Sequence, residues 1–298
     1  MSNRRDRREF LKQTMNTGLA VLFSQRAISA SSEKETWQIG CFTRPWDRHD
    51  YRVALDAIAE AGFKYAGLMT CNSKTRLVIS IETTAEDAHQ IGAEVKQRGL
   101  KVPSVYGGGI PVQQSQQAGI DGLRTLIDHC AVVESQTLMM GGIESREYYE
   151  SYYKAIAECC DYAESKKVGI ILKPHGGLNA DGPQCRKSIE KVGHRNFTLW
   201  YDPGNIYYYS DGALNPVDDA MTVDGLVSGM CIKDYLAPKN VNVTPGSGLV
   251  NFPAVFSRLQ DGGFTRGPLV IETLAGGDLQ ETLAQAKQAR QFVESLIA

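Results

Sequence analysis

The sequence lacks an excess of basic charge. Its 298 residues include 32 Lys and Arg against 34 Asp and Glu, so the formal net charge is −2 at pH 7. Proteins that follow nucleic acid phosphates carry a clear basic excess, and we therefore predict no nucleic-acid partner. Hydrophobic residues make up 42% of the chain, which is enough for the core of one large domain or two small ones.

The sequence also lacks the signatures of several common kinds of site. The seven cysteines are odd in number, scattered and without CxxC spacing, so neither a disulfide framework nor a structural zinc site is indicated. No GxGxxG follows the first predicted strand, which argues against a dinucleotide site. The glycines at 107–109 are not followed by a GKS or GKT helix start, so they do not predict a phosphate loop.

The first thirty residues have the organisation of an export signal. A basic segment precedes a short, weakly apolar run at 15–23 and small residues near 27–30, and this run is too short to span a bilayer. Residues 7–12, RREFLK, resemble the twin-arginine export motif. We predict a signal peptide over 1–30, export to the periplasm by the twin-arginine translocase, and a mature domain over 31–298. The alternative is an exposed basic amphipathic helix.

Apolar runs of strand type alternate with helical periodicity along the mature chain. We predict strands at 37–42, 64–69, 102–106, 137–140, 168–173, 197–202, 228–234 and 268–272. Helices are predicted at 51–61, 84–98, 118–133, 148–165, 184–192, 217–224, 251–259 and 279–296. Eight such units predict an α/β fold, a single-domain (β/α)8 TIM barrel. An open doubly wound sheet is the alternative, which the missing GxGxxG disfavours.

The last four predicted strands all deliver polar residues to their C-terminal ends. These residues are Lys173, His175, Asp202, Lys233, Asp234 and Glu272. Parallel strands of a barrel end at the same rim, where the catalytic residues of such barrels are found. We therefore expect these side chains to form one site.

Five short motifs carry a family resemblance. In chain order they are LKPHGG at 172–177, YDPGN at 201–205, CIKD at 231–234, PGSGLVNF at 245–252 and GPLVIET at 267–273. With this order and spacing, the mature chain resembles the xylose isomerase-like barrel superfamily of sugar isomerases and epimerases. The resemblance implies a TIM barrel that acts on a small-molecule sugar or polyol by proton transfer next to a carbonyl.

The resemblance also implies a metal site, from which this sequence departs. Members of the superfamily typically hold one divalent ion, Mn, Mg or Co, with a Glu, an Asp, a His and a Glu on strands five to eight. Asp202 and Glu272 match this set. Lys173 and Cys231 do not, because LEPH and HIKD would be usual at their positions.

Charge argues against keeping the metal. Three carboxylates and a dication sum to −1, and Lys173, Asp202 and Glu272 also sum to −1 without an ion. An ammonium about 4 Å from a dication would repel it by roughly 8 kcal/mol at an effective dielectric near 20. We therefore predict no cofactor and no metal, with Lys173 in the place of the ion.

Four functions are compatible with these residues. In the first, Lys173 stabilises an oxyanion while Glu272 and His175 move protons. In the second, Lys173 is a base or Schiff-base nucleophile, which nearby acids disfavour because they raise its pKa. In the third, the protein binds a sugar without turning it over. In the fourth, a metal is held by His175, Asp202 and Glu272.

We predict a sugar isomerase/epimerase-like protein, or a related lyase, with Lys173, His175 and Glu272 as catalytic residues. The alternative is a non-catalytic exported carbohydrate-binding barrel, and both a monomer and an oligomer fit the sequence. Substrate-binding residues are predicted at Arg44, Trp46, Tyr106, Asp202, Asn205 and Lys233. The tyrosine run at 207–209 also lies at the predicted rim, where aromatic rings stack on sugars. Structural alternatives are an ion pair for Lys173 and a buried thiol for Cys231.

Overall fold

Strands and helices alternate along residues 36–298, which are the residues that the computed structural model describes. The predicted signal peptide and its twin-arginine motif lie outside the described residues. The strands are β1 Trp37–Phe42, β2 Tyr65–Gly67, β3 Val105–Tyr106, β4 Thr137–Met140, β5 Gly169–Leu172, β6 Phe197–Tyr201, β7 Val227–Ile232 and β8 Gly267–Ile271. The α-helices are α1 Tyr51–Glu60, α2 Ala85–Gln97, α3 Gln116–Val132, α4 Tyr149–Ser165, α5 Gly182–Val192, α6 Pro203–Tyr209, α7 Pro216–Ala220, α8 Phe252–Asp261 and α9 Leu279–Leu296.

The eight strands form one parallel sheet in the order β2-β1-β8-β7-β6-β5-β4-β3. Isolated parallel bridges, Tyr65 with Lys101 and Leu68 with Val105, join its two ends. The sheet is therefore a barrel with helices between successive strands, which confirms the predicted (β/α)8 TIM barrel. Among residues 36–298, no helix combines the length and the apolar character needed to cross a membrane.

Side-chain caps place several helix starts where the sequence predicts them. Asp50 accepts a backbone N–H in the first turn of α1. Thr84 and Asp87 form a capping box at α2, and Asp278 and Glu281 form another at α9. Apart from the helix predicted at 217–224, each predicted helix has bounds within two residues of the observed ones.

Residues 203–205 form the first turn of α6, a helix that the sequence did not predict. Asp202 caps this helix and accepts the N–H of Asn205 at 2.9 Å, while Pro203 occupies a position whose N–H needs no partner. A Cβ on Gly204 would lie 2.7 Å from the carbonyl oxygen of Lys233, so only glycine lets α6 approach the end of β7 this closely. The helix predicted at 217–224 is divided into α7 and a 3-10 turn, Met221–Val223.

The core has two parts. The larger one lies between the sheet and the helices. The smaller one fills the inside of the barrel, and we call it the lumen floor: Phe42, Met69, Met139, Ile171, Trp200, Cys231 and Val270. These side chains are 0–3% exposed, so the barrel is packed rather than open below its rim.

Candidate functional site

Four charged residues lie directly above the lumen floor. Each of them follows a floor residue by two positions along its strand. Because strand side chains alternate between faces, they point into the barrel as the floor residues do. All four are buried, with exposed fractions of 0–1%. We call them the charged layer: Lys173 after β5, Asp202 after β6, Lys233 after β7 and Glu272 after β8.

Glu272 is the centre of this layer. Its Oε2 accepts a hydrogen bond from Lys173 Nζ at 2.5 Å. Its Oε1 lies 2.6 Å from Lys233 Nζ and 2.6 Å from Arg44 Nη1. Arg44 enters the network from the loop after β1, and its side chain is 30% exposed. Both oxygens of Glu272 are therefore engaged by cations.

Asp202 takes part in the same network in a looser way. Its Oδ2 lies 3.4 Å from Lys173 Nζ and 3.2 Å from Lys233 Nζ, but neither ammonium is aligned to donate a hydrogen bond to it. Lys233 also donates to Asn205 Oδ1 at 3.0 Å, and the Asn205 amide donates to the Pro174 carbonyl at 2.7 Å. Asn205, which was predicted to bind substrate, is thus a hydrogen-bond partner that holds the Lys233 ammonium in place.

The charge of the network differs from the sequence estimate. Lys173, Asp202 and Glu272 alone sum to −1, but Lys233 and Arg44 contact the same carboxylates. With both lysines protonated, three cations face two carboxylates, and the sum is +1. The sequence placed Lys233 and Arg44 in a separate substrate-binding group, because the reach of a long side chain is not visible in a strand pattern.

The pKa shifts follow from these contacts. Burial alone would raise the pKa of Glu272, but the charges of Lys173, Lys233 and Arg44 hold it well below its ordinary value. Burial alone would lower the pKa of Lys173, but its acidic neighbours, Glu272 foremost, together outweigh burial and the pKa rises. For Lys233 burial prevails, and its pKa is lowered. Glu272 is thus ionised and Lys173 is an ammonium at neutral pH.

His175 lies beside the charged layer between two tyrosines. Its ring centroid is 6.2 Å from that of Tyr106 and 5.8 Å from that of Tyr209. Burial, with the charge of Lys173, lowers its pKa to about 3, so the imidazole is neutral. Among residues 36–298, no hydrogen bond to its ring nitrogens is found.

The residues present do not fit a divalent ion. Ligand atoms of Asp202, Cys231 and Glu272 lie within 4.8 Å of one another, a group to which the His175 ring does not belong. However, the ammonium groups of two lysines lie within 3.4 Å of both carboxylates, and each would repel a dication about 4 Å away by roughly 8 kcal/mol. Burial also raises the pKa of the Cys231 thiol, so it keeps its proton.

A cavity of about 420 Å³ opens beside Arg44 at the rim. Arg48, Arg76 and Asn242 also line it, together with residues 273–279, which lead from β8 into α9. Arg44 lines this cavity, whereas the charged layer and His175 do not. Trp46 borders the cavity but is 2% exposed and packs in the larger core. It does not offer the open ring face that was expected for sugar stacking.

Two parts of the site were missed from the sequence. Tyr209 was expected at the rim only as one of three tyrosines, and its contact with His175 depends on α6, which was not predicted. Asp234 was expected to join the common site, but its carboxylate accepts the backbone N–H groups of Tyr235, Gly246, Gly248 and Val250. The glycines of the PGSG motif were the available signal for such a loop.

Solved structures with the same fold include several sugar epimerases. A xylose isomerase domain protein from Planctomyces limnophilus is 20% identical, with a TM-score of 0.69 over 88% of this chain and 97% of its own. D-Psicose 3-epimerase from Clostridium cellulolyticum H10, solved with D-tagatose, is 13% identical, with a TM-score of 0.67 over 87% and 99%. 3-Keto-D-glucoside 4-epimerase from E. coli is 14% identical, with a TM-score of 0.62 over 86% and 99%. At these identities the likeness shows the fold.

The sequence itself gives a family assignment. No curated protein matches it significantly. The family model described as xylose isomerase-like TIM barrel matches residues 55–296, from within α1 to the end of α9. Because this match spans most of the barrel, the chain belongs to the xylose isomerase-like TIM barrel family.

Proposed function

We propose that the protein is a sugar isomerase/epimerase-type enzyme that moves a proton next to a carbonyl, with an ammonium in place of a metal ion. The observation that carries this proposal is the position of Lys173, whose Nζ lies 2.5 Å from Glu272 and 3.4 Å from Asp202. Family membership and the epimerases that share the fold support the reaction class. The substrate class is a carbohydrate or a compound derived from a polyol.

Lys173 has a donor left for a substrate oxygen. Of the three N–H groups of its ammonium, one donates to Glu272, while Asp202 Oδ2 lies 3.4 Å away without accepting a hydrogen bond from any residue of 36–298. Lys233 has more acceptors nearby, because it donates to Asn205 Oδ1 and its Nζ lies 2.6 Å from Glu272 and 3.2 Å from Asp202. The free N–H of Lys173 stabilises the negative charge that develops on the carbonyl oxygen when a neighbouring proton leaves.

His175 suits proton transfer better than Glu272 does. Both oxygens of Glu272 are bound by cations, so it has no free lone pair directed at substrate. His175 is neutral, and negative charge that develops on a substrate beside Lys173 would raise its low pKa toward the range of a general base. In the proposed step, a ring nitrogen takes the proton from the carbon, the C–H electron pair forms an enediolate, and the histidinium returns the proton to the adjacent carbon on the same face, which completes an isomerisation.

Solvent deuterium exchange tests this function. The wild-type protein should incorporate deuterium at a carbon next to the carbonyl of one member of a panel of aldoses and ketoses, as NMR would detect. His175→Gln should reduce the exchange rate at least about 100-fold, as expected for loss of a general base. His194→Gln is the matched control, because His194 lies on the surface, paired with Asp161. Exchange that survives in His175→Gln would exclude His175 as the base.

The proposal also includes the absence of a divalent cofactor. We expect the wild-type protein, purified without chelators, to contain less than about a tenth of an equivalent of Mn, Mg or Co. A double variant with Lys173→Glu and Cys231→His restores the usual residue types and should bind about one equivalent. Lys173→Met is the control, since it removes the ammonium without adding a ligand. A full equivalent in the wild type would overturn this part of the proposal.

A non-catalytic carbohydrate-binding function is the second candidate. The observation that favours it is the saturation of the charged layer, because Glu272 has no oxygen free for a substrate proton. Calorimetry on the same panel of sugars separates the two functions. A sugar that binds without any deuterium exchange would support binding over catalysis.

A further inference from the structure

We propose that the ligand of this site is a sugar acid, whose carboxylate binds Arg44 and completes the charge of the layer beneath it. This inference rests on the proposed function, because it names the substrate class of the same site. Three observations carry it: an unmatched positive charge, an arginine with free donors, and a cavity beside that arginine.

The positive charge in excess has no partner in the described part of the chain. Arg44, Lys173 and Lys233 face two carboxylates. The next acid, Asp234, directs both oxygens to four backbone N–H groups of the loop that follows β7. Asp47, on the rim, lies 3.9 Å from Arg76. A buried charge without a counter-ion is unfavourable, and a monoanionic ligand would remove this excess.

Arg44 is the most exposed member of the network. Its side chain is 30% exposed, whereas those of Lys173 and Lys233 are 1–2% exposed. Nη1 donates to Glu272, and among residues 36–298 no acceptor is found for Nε or Nη2. A guanidinium with two adjacent free donors binds a carboxylate in a planar, bidentate way that an ammonium does not reproduce.

The cavity beside Arg44 has the size and charge for such a ligand. Its volume of about 420 Å³ lies in the range of small-molecule sites. Arg48 and Arg76 line it in addition to Arg44, against Asp47 and Asp278. The Asp278 carboxylate caps α9 and is engaged by backbone N–H groups. The excess of one charge in the layer matches a carboxylate rather than a dianionic phosphate ester.

Calorimetry with matched pairs of sugars tests the proposal. D-Glucuronate is compared with D-glucose, and D-fructuronate with D-fructose, in the full-length mature protein. We expect each acid to bind at least about tenfold more tightly than its neutral partner, the factor that corresponds to one charge-assisted interaction. Arg44→Gln should abolish the difference, and Arg44→Lys should recover only part of it. Arg266→Gln is the control, because Arg266 is exposed at the opposite end of β8 and should leave the difference unchanged.

The outcomes separate this inference from the proposed function. Equal affinities for the acid and neutral partners, with deuterium exchange, would overturn the sugar acid and keep the enzyme. An acid that binds but never exchanges would keep the ligand class and overturn the reaction. Tighter binding of D-glucose 6-phosphate than of either acid would assign the site to phosphate esters and overturn the proposal. Circular dichroism checks that Arg44→Gln is folded, and if it is not, Arg44→Lys supplies the test.

Discussion

The lumen floor and the charged layer are neighbours on the same strands and are equally buried, yet they are stabilised differently. Ile171, Trp200, Cys231 and Val270 of the floor are each followed two positions later by a charged residue of the layer. The floor is held by apolar contacts, which need no particular partner. The layer is stabilised by pairing of opposite charges, and burial of each charge is favourable only while its partners are present.

Substitutions in the two regions should therefore differ most when they change charge rather than volume. A floor residue that loses a methyl group leaves a small cavity. A layer residue that loses its charge leaves the charges of its neighbours buried and unmatched. The predictions below test this difference, starting with the largest expected effect.

Glu272→Gln should give the largest loss of stability. The amide nearly keeps the size of the side chain but removes the charge that faces Lys173, Lys233 and Arg44. We expect the free energy of unfolding in urea to fall by about 3–5 kcal/mol, as for other broken buried ion pairs. Ile171→Val in the floor is the control and should cost about 0.5–1.5 kcal/mol. Equal losses would mean that the layer does not depend on pairing.

Lys173→Met should have a smaller effect, despite the complete burial of Lys173. It removes one of three cations, and two cations then face two carboxylates. We expect a loss below about 2 kcal/mol, because methionine keeps much of the volume and no carboxylate is left unpaired. Lys233→Met makes the same change of charge but removes three polar contacts instead of two, so it should be worse. The reverse order would contradict the assigned contacts.

The smallest expected effect is the contribution of His175 to the pH dependence of stability. Its pKa is about 3 in the folded protein, against about 6.5 in an unfolded chain. As pH falls below about 6.5 the unfolded state gains a proton that the folded state does not, so wild-type stability decreases. His175→Gln removes this term, and the variant should gain about 1–2 kcal/mol relative to the wild type between pH 7 and pH 5. If the unfolding free energies of the wild type and the variant changed in parallel with pH, the pKa of His175 would not be shifted by folding.

The sequence was sufficient for most of the fold because its signals are local. The bounds of β1, β4 and α9 were predicted without error, since each has a clear apolar run or a capping residue. β2 and β3 are shorter than predicted, because their apolar runs continue past the point where neighbouring strands pair. α6 was missed because Asp-Pro-Gly is typical of both a turn and a helix start.

The site was only partly accessible from the sequence. The closeness of Lys173, Asp202 and Glu272 follows from the ends of parallel strands, and the structure shows it. The contacts of Arg44 and Lys233 with Glu272 depend on rotamers of long side chains that cross the barrel. This is why the charge estimated from three residues had the wrong sign.

A cation that is part of the chain behaves differently from one that binds. The positive charge between Asp202 and Glu272 is carried by a side chain anchored on β5, so it has no dissociation constant. Chelators cannot withdraw it, and other ions cannot displace it according to their relative affinities, as happens at metal sites. Its presence depends on folding alone and not on the supply of ions in the surroundings.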